Sequence, residues 1–179
     1  MDGMRGPGSG VRPDPVGPDQ ESVWDYPRPP RVEVTPRLVE VRSRDEAGRS
    51  GVVLAHSSRA FRVLETSHPP VFYLPREDVG AGVLRRAPGS SVCEFKGPAT
   101  YWDVLGPDGS VLTAAGAWSY EQPWTGFEEI AGAVAFYPAP LHCTVDGEVV
   151  RPQPGGFYGG WITDDVTGPF KGAPGTLGW

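Results

Sequence analysis

Two consecutive prolines interrupt a hydrophobic stretch at Arg62–Val79, RVLETSHPPVFYLPREDV. Each proline fixes a backbone dihedral and lacks an N–H donor, so the chain bends at Pro69-Pro70 and cannot run through as one central strand. Before the bend, Phe61, Val63 and Thr66 are interleaved with Arg62 and Glu65, an alternation that predicts a strand. After it, Val71–Leu74 predicts a second strand, stopped by Pro75. Glu65, Ser67 and His68 therefore meet at a rigid corner between two hydrophobic strands. Such a corner is either a hinge of the fold or the mouth of a site. Arg62 and Glu65 fall on opposite faces of their strand, so one of them points inward or into a cleft.

The flanking chain reads as short strands punctuated by Gly, Pro and Asp-Gly. Val32–Val41, broken at Pro36, and Val52–Ala55 form a hairpin across Asp45-Glu46-Ala47-Gly48. Val92–Phe95 and Tyr101–Leu105 are strands separated by Gly97-Pro98, and Asp108-Gly109 turns the chain back into Val111–Ala114 and Ala117–Tyr120. Ala133–Tyr137 is a buried strand, and Cys143–Val145 with Glu148–Val150 makes a last hairpin over Asp146-Gly147. Pro75–Val79 and Trp124–Ile130 each predict one short helical turn. The sum is a mainly β fold: one small antiparallel domain over residues 22–150, either a partly closed barrel or two packed sheets.

The ends differ from this middle. Residues 1–21 are rich in Gly, Pro and Asp, with Val11 and Val16 as their branched apolar anchors, and predict a disordered arm. Trp24 and Tyr26 then lie two apart among prolines, either packing on the domain or clamping a ligand. Residues 151–179 are glycine-rich yet keep Phe157, Tyr158, Trp161, Phe170 and Trp179. A tail with that many rings is expected to lie across the domain or to meet a partner, including a second copy of the chain.

A net charge of −6 argues against a general nucleic-acid binder, which needs a basic face to displace counterions, and leaves room only for a local basic groove. No stretch approaches the roughly 20 apolar residues of a membrane span, and no apolar run follows the first residues as in a signal peptide, so a cytoplasmic protein is expected. Cys93 and Cys143 stand apart without paired ligands at zinc-finger spacing, which argues for reduced thiols and no metal. No phosphate-cradling Gly-rich loop is present, so no cofactor is expected. Of the 16 basic side chains 14 are arginine, and asparagine is absent, a bias that makes the two lysines conspicuous. They stand in echoing contexts, Phe95-Lys96-Gly97-Pro98 and Phe170-Lys171-Gly172-Ala173-Pro174.

These observations set out a candidate site. His68 and Glu65 are the residues able to handle protons, His68 either as a base or ligand contact or as a brace for the corner. Ser67 lacks a nucleophile elbow and, as His68's neighbour on a strand, would not meet it without the bend. Lys96 precedes Thr100-Tyr101-Trp102 at a tight turn, so it either holds a phosphate or carboxylate beside rings or lies exposed over them. Lys171 either mimics that contact or is solvated. The expected pocket thus takes an anionic or polar small molecule between the Glu65–Tyr73 corner and the Lys96–Trp102 segment. Arg62, Ser67, Tyr73, Lys96, Tyr101, Trp102, Trp118 and Tyr120 would line it. The alternative is a non-enzymatic interaction module acting through the aromatic tail.

Five segments in this order, ESVWDYPRPP (21–30), RVLETSHPPVFYLP (62–75), FKGPATYW (95–102), AWSY (117–120) and IAGAVAFYP (130–138), resemble the domain of unknown function family 427 (DUF427). The Gly160–Thr163 and Pro169–Trp179 segments are similar to the tail of its actinobacterial members. The resemblance implies a small, mostly β fold and carries a nucleotidyltransferase-like label. That label gains little from this chain, whose adjacent acids Glu128-Glu129 and Asp164-Asp165 point apart on a strand instead of converging on magnesium. The chain also departs from the commoner Cys-Pro-Tyr-Lys-Gly pattern, with Glu94 and Phe95 in place of the proline and tyrosine. Any role of that tyrosine hydroxyl is lost.

Overall fold

The bend at Pro69-Pro70 joins two strands of a three-stranded antiparallel corner sheet, in which Phe61–Leu64 pairs with both Arg31–Val34 and Val71–Tyr73. A computed structural model of the protein describes residues 10–179. The prolines do not make the bend alone. The His68 N–H donates to the Glu65 carbonyl at 3.0 Å, and Ser67, inside that turn, takes a left-handed φ of 71°. A non-glycine residue there is strained and persists only where its surroundings hold it. The hold is visible: the Ser67 N–H donates to the Val23 carbonyl, and its own carbonyl accepts from the Lys171 N–H.

Two larger antiparallel sheets complete the fold. The long sheet runs Val134–Phe136, Val111–Ser119, Gly97–Leu105, Leu84–Cys93. The front sheet runs Glu148–Val149, His142–Val145, Val39–Arg44, Ser50–Ser57. Reciprocal Leu74–Val134 main-chain hydrogen bonds, each 2.8 Å, stitch the corner sheet to the long one. Several antiparallel sheets result, with no closed barrel among the described residues. Both expected helical turns appear as single 3₁₀ turns, Arg76–Asp78 and Glu128–Ile130. The strand expected from Val92 begins eight residues earlier, at Leu84, and the turn falls on Glu94–Lys96, so Phe95 is a turn residue. Leu84–Ser91 escapes a pattern reading because it is a polar edge strand with Pro88 beside a bulge, features that edges tolerate.

The main core lies between the three sheets, with Val39, Val41, Phe72, Val104 and Phe136 fully or almost fully buried. Trp161 joins it from the tail with 0% exposure, stacking on Phe72 at 5.2 Å and donating its indole N–H to the Phe136 carbonyl at 3.0 Å. A separate cluster of Val23, Tyr26, Leu64, Ile162 and Val166 binds the entry segment to the tail. Residues 1–9 of the expected arm lie outside the described residues. From Gly10 the chain is mostly exposed, the Asp14 N–H donating to the Gly168 carbonyl, and it turns at Pro18-Asp19 before Glu21–Ser22 pairs in parallel with Val166–Thr167. No helix of the described residues is long and apolar enough to cross a membrane.

The tail is seated on the corner itself. The Trp161 N–H donates to the Pro70 carbonyl at 2.8 Å, and a Cβ on Gly160 would stand 2.7 Å from Pro69 Cγ. One on Gly159 would stand 2.5 Å from the Trp118 ring, so only glycine lets the backbone come this close.

If the tail belongs to the fold, Trp161→Ala should cost about 3–5 kcal/mol in a urea or guanidinium melt, as expected for emptying a large buried site. Phe157→Ala, at a ring 69% exposed, should stay within about 0.5 kcal/mol. Equal, small losses in both would mean that the tail adds nothing to stability.

Candidate functional site

Behind the corner lies a cavity of about 290 Å³, near the lower end of the range for small-molecule pockets. Val63, Val71 and Tyr73 of the corner sheet form its floor. One face of the long sheet forms a wall: Ala99 and Tyr101 are two apart, Trp118 and Tyr120 are two apart, and Tyr101 sits directly opposite Trp118 in the register. The Glu94–Lys96 turn closes one side, and Phe157, Tyr158 and Lys171 of the tail close another. Burial holds the Tyr73 and Tyr120 hydroxyls well above the ordinary phenol range and pushes Tyr137 up to about 12, so these rings present neutral phenols. Tyr73 Oη accepts a hydrogen bond from the Trp118 indole at 3.2 Å.

Both lysines of the protein reach this cavity. Lys96 is only 8% exposed, and its Nζ lies 5.7 Å from the centroid of the Tyr120 ring. Among the described residues it makes no ion pair and no side-chain hydrogen bond. Lys171 repeats the arrangement over Tyr158 at 5.6 Å, with one N–H donated to the main-chain oxygen of Trp179 at 3.2 Å.

His68 stands near both, edge-on to Tyr158 with ring centroids 4.7 Å apart. Its tautomer follows from its neighbours. Gln153 Oε1 accepts from the Gly160 N–H at 3.0 Å, which fixes the amide orientation. Gln153 Nε2 then donates to the Lys171 carbonyl at 2.8 Å and to His68 Nδ1 at 3.0 Å. With Nδ1 accepting, the proton resides on Nε2, 3.8 Å from Glu65 Oε1. Burial first, then the charges of Lys171, Arg28 and Lys96, push the His68 pKa down to about 3, so the ring is a neutral N–H donor at physiological pH. Glu65 also faces Arg28 Nε at 3.4 Å.

Of the residues expected at the site, Glu65, His68, Tyr73, Lys96, Tyr101, Trp118 and Tyr120 line the cavity together. Three do not. Arg62 turns to the other face of its strand and is held by Glu21 at 2.7 Å and Glu33 at 2.9 Å, an ion-pair cluster binding the entry segment to the corner sheet. Ser67 is fully buried with its hydroxyl unpaired, and its part is to make the turn. Trp102 alternates away from Tyr101, donating its indole N–H to Ser119 Oγ at 2.9 Å beneath the Arg76 guanidinium, 4.7 Å from its ring. Cys93 also lines the cavity, whereas His142 and Cys143 lie on the front sheet outside it. Among the described residues no three potential metal ligands come together. Gln153 went unseen in the sequence, and Phe157 and Tyr158 stood out there as tail rings but not as part of the cavity wall. The signal available was the repeated Phe-Lys-Gly of the tail.

The chain belongs to the family described as Domain of unknown function (DUF427), whose model matches residues 31–151. No curated protein matches it. Gln153, Phe157, Tyr158 and Lys171 all lie beyond the matched segment, so part of the cavity wall and the brace on His68 come from outside it.

A His68 held neutral between Lys171, Lys96, Arg28 and Glu65 should show the Nε2–H tautomer by ¹⁵N NMR and should not titrate near 6.5. Because its folded pKa lies below the unfolded one, its contribution is complete above about pH 6.5 and is lost as pH falls toward about 3, at up to about 1.4 kcal/mol per pH unit. His68→Gln should flatten that part of the stability profile. A His68 midpoint near 6.5 would mean a solvated ring and an open cavity.

Proposed function

We propose that the protein binds a small molecule with an anionic group on a flat, largely apolar body, held in the aromatic cavity. The observation that carries this reading is Lys96. Burying an ammonium with no counter-ion is costly, and proteins ordinarily pair or hydrogen-bond such a charge. Here the turn fixes it over a tyrosine face at a cavity wall, where a carboxylate or phosphate would complete its coordination while the rings stack on the ligand body. The His68 Nε2–H adds a neutral donor.

Acid–base catalysis is the weaker reading. A general base needs a free lone pair within reach of the substrate. His68 Nδ1 is occupied by Gln153, and Nε2 bears the proton. Assembly through the tail is weaker too, because both of its tryptophans are used within the same chain, Trp161 filling the core and Trp179 packing edge-on against Trp24 at 5.5 Å, which leaves Phe157 as its exposed ring.

Lys96→Met tests the proposal. Removing an unpaired buried charge should leave the melting temperature unchanged or raise it, whereas removing a structural residue would lower it. In wild type, benzoate at about a hundred times its Kd should stabilise the fold by about 2.7 kcal/mol, and the variant should lose that gain. A variant that loses several kcal/mol without ligand, or keeps the benzoate effect, would refute this reading.

A further inference from the structure

The turn that carries Lys96 also brings a thiol to the same hollow, and the pair points to a reaction, an inference that rests on the anion binding proposed above. Cys93 ends the strand Leu84–Cys93 and pairs across the turn with Gly97, as Ser91 pairs with Ala99. Opposite residues of an antiparallel pair share a face, so Ser91 and Cys93 lie on the face of Ala99 and Tyr101, the cavity wall. The hydroxyls of Ser91 and Tyr101 meet there at 2.7 Å. Cys93 packs against the cluster that holds Tyr73 and Tyr120, yet it is only half-buried, between an exposed Val92 and an exposed Glu94 at the rim. Its thiol is free, as is that of Cys143.

The turn between the two residues is fixed. Gly97 takes a left-handed φ of 96°, a Cβ there would stand 2.9 Å from the Trp124 ring, and the Trp124 N–H donates to the Lys96 carbonyl at 3.0 Å. On this clamped turn Lys96 is 8% exposed and has no side-chain partner among the described residues, whereas Lys171 is half-exposed and bonded to the Trp179 main-chain oxygen. The Tyr120 phenol marks how near the thiol and the ammonium lie: burial and Tyr73 raise its pKa, Lys96 lowers it, and Cys93 raises it again. An anion held by Lys96 therefore has a sulfur nucleophile beside it. Of the carboxylates at the cavity, Glu65 faces Arg28 at 3.4 Å, and Glu94 adjoins Cys93 in sequence and repels anions from the rim. An anion can be favoured at this thiol only through a cation within the hollow.

We propose that Cys93 is a covalent attachment site: an anion that carries an electrophilic carbon near its charged group is held by Lys96 and captured by the Cys93 sulfur. The sulfur attacks as the thiolate, its proton having passed to solvent. Where the carbon bears a halogen, a C–S bond forms as the carbon–halogen bond breaks, and halide leaves with the bonding pair. Where the carbon belongs to an alkene conjugated to the carboxylate, the C–S bond forms at the far carbon and solvent returns a proton to the near one. Neither route needs an oxidant or a reductant. Lys96 is the positioning residue, and Cys143, buried on the front sheet with its pKa pushed up to about 12 by that burial, is an internal control.

Alkylation of the folded full chain at about pH 8 with iodoacetate and with neutral iodoacetamide, read at each cysteine by mass spectrometry of the digest, tests this, with glutathione giving the ratio of the two rates for a solvated thiol. At Cys93 the iodoacetate-to-iodoacetamide ratio should exceed that of glutathione about tenfold or more, the factor expected for one charge-assisted contact to the carboxylate. Cys143 should stay unlabelled. Lys96→Met, its fold checked by melting, should bring the ratio within about threefold of glutathione's, and Lys96→Arg, which keeps the charge, should retain much of the preference. Benzoate in excess should slow the labelling of wild type by iodoacetate. A wild-type ratio no higher than glutathione's, or a Cys93 that neither reagent modifies until the chain unfolds, would overturn the inference, and the benzoate melt then decides the binding proposal separately. A raised ratio that survives in Lys96→Met would overturn it too, since Lys96 would not be placing the anion. A raised, Lys96-dependent ratio without protection by benzoate would support the attachment site and refute only the flat aromatic body.

Discussion

Everything near the site depends on what Pro69-Pro70 cannot do. Without N–H donors the two residues cannot extend the sheet, yet the carbonyls around the bend still need partners once they are covered. The tail supplies them, Trp161 to Pro70 and Lys171 to Ser67, and the entry segment takes the Ser67 N–H from the opposite side. A local deficit of donors thus recruits two distant pieces of chain to the same corner. The corner, the docked tail and the cavity wall are thereby tied together by main-chain hydrogen bonds.

The same arrangement explains the electrostatics. Glu65 and His68 come from the corner, Lys96 from a hairpin turn of the long sheet, and Lys171 from the tail. A charged imidazole between two ammonium groups and Arg28 would be repelled and poorly solvated, so the ring stays neutral and the amide of Gln153 decides which nitrogen keeps the hydrogen. The hollow combines soft aromatic faces with hydrogen-bond donors of defined direction. That pairing is the ground on which a flat anionic ligand is proposed.

Much of this was legible beforehand, for identifiable reasons. Proline punctuation and period-two alternation locate the corner and most strands, and residue scarcity points to Lys96. Alternation also separates Tyr101 from Trp102, a consequence that grouping them by proximity in sequence obscures. Arg62 was unreadable because its partners Glu33 and Glu21 lie 29 and 41 residues away. Leu84–Ser91 hid as an edge strand whose polar face meets solvent. The tail hid because its glycines resemble those of a linker, while their use here is steric. Composition reports the residue type and not what it touches.

That steric use changes how the tail should tolerate sequence change. Gly159 lies against Trp118, and Gly160 lies between Pro69 and Gln153, with no room at either for a single methyl group. A segment of low apparent complexity is therefore as intolerant of drift as the interior of a sheet, and a filter that trims glycine-rich ends as dispensable would cut away the wall that shapes the hollow. In a saturation library the strictest positions of this protein would include two that carry no side chain.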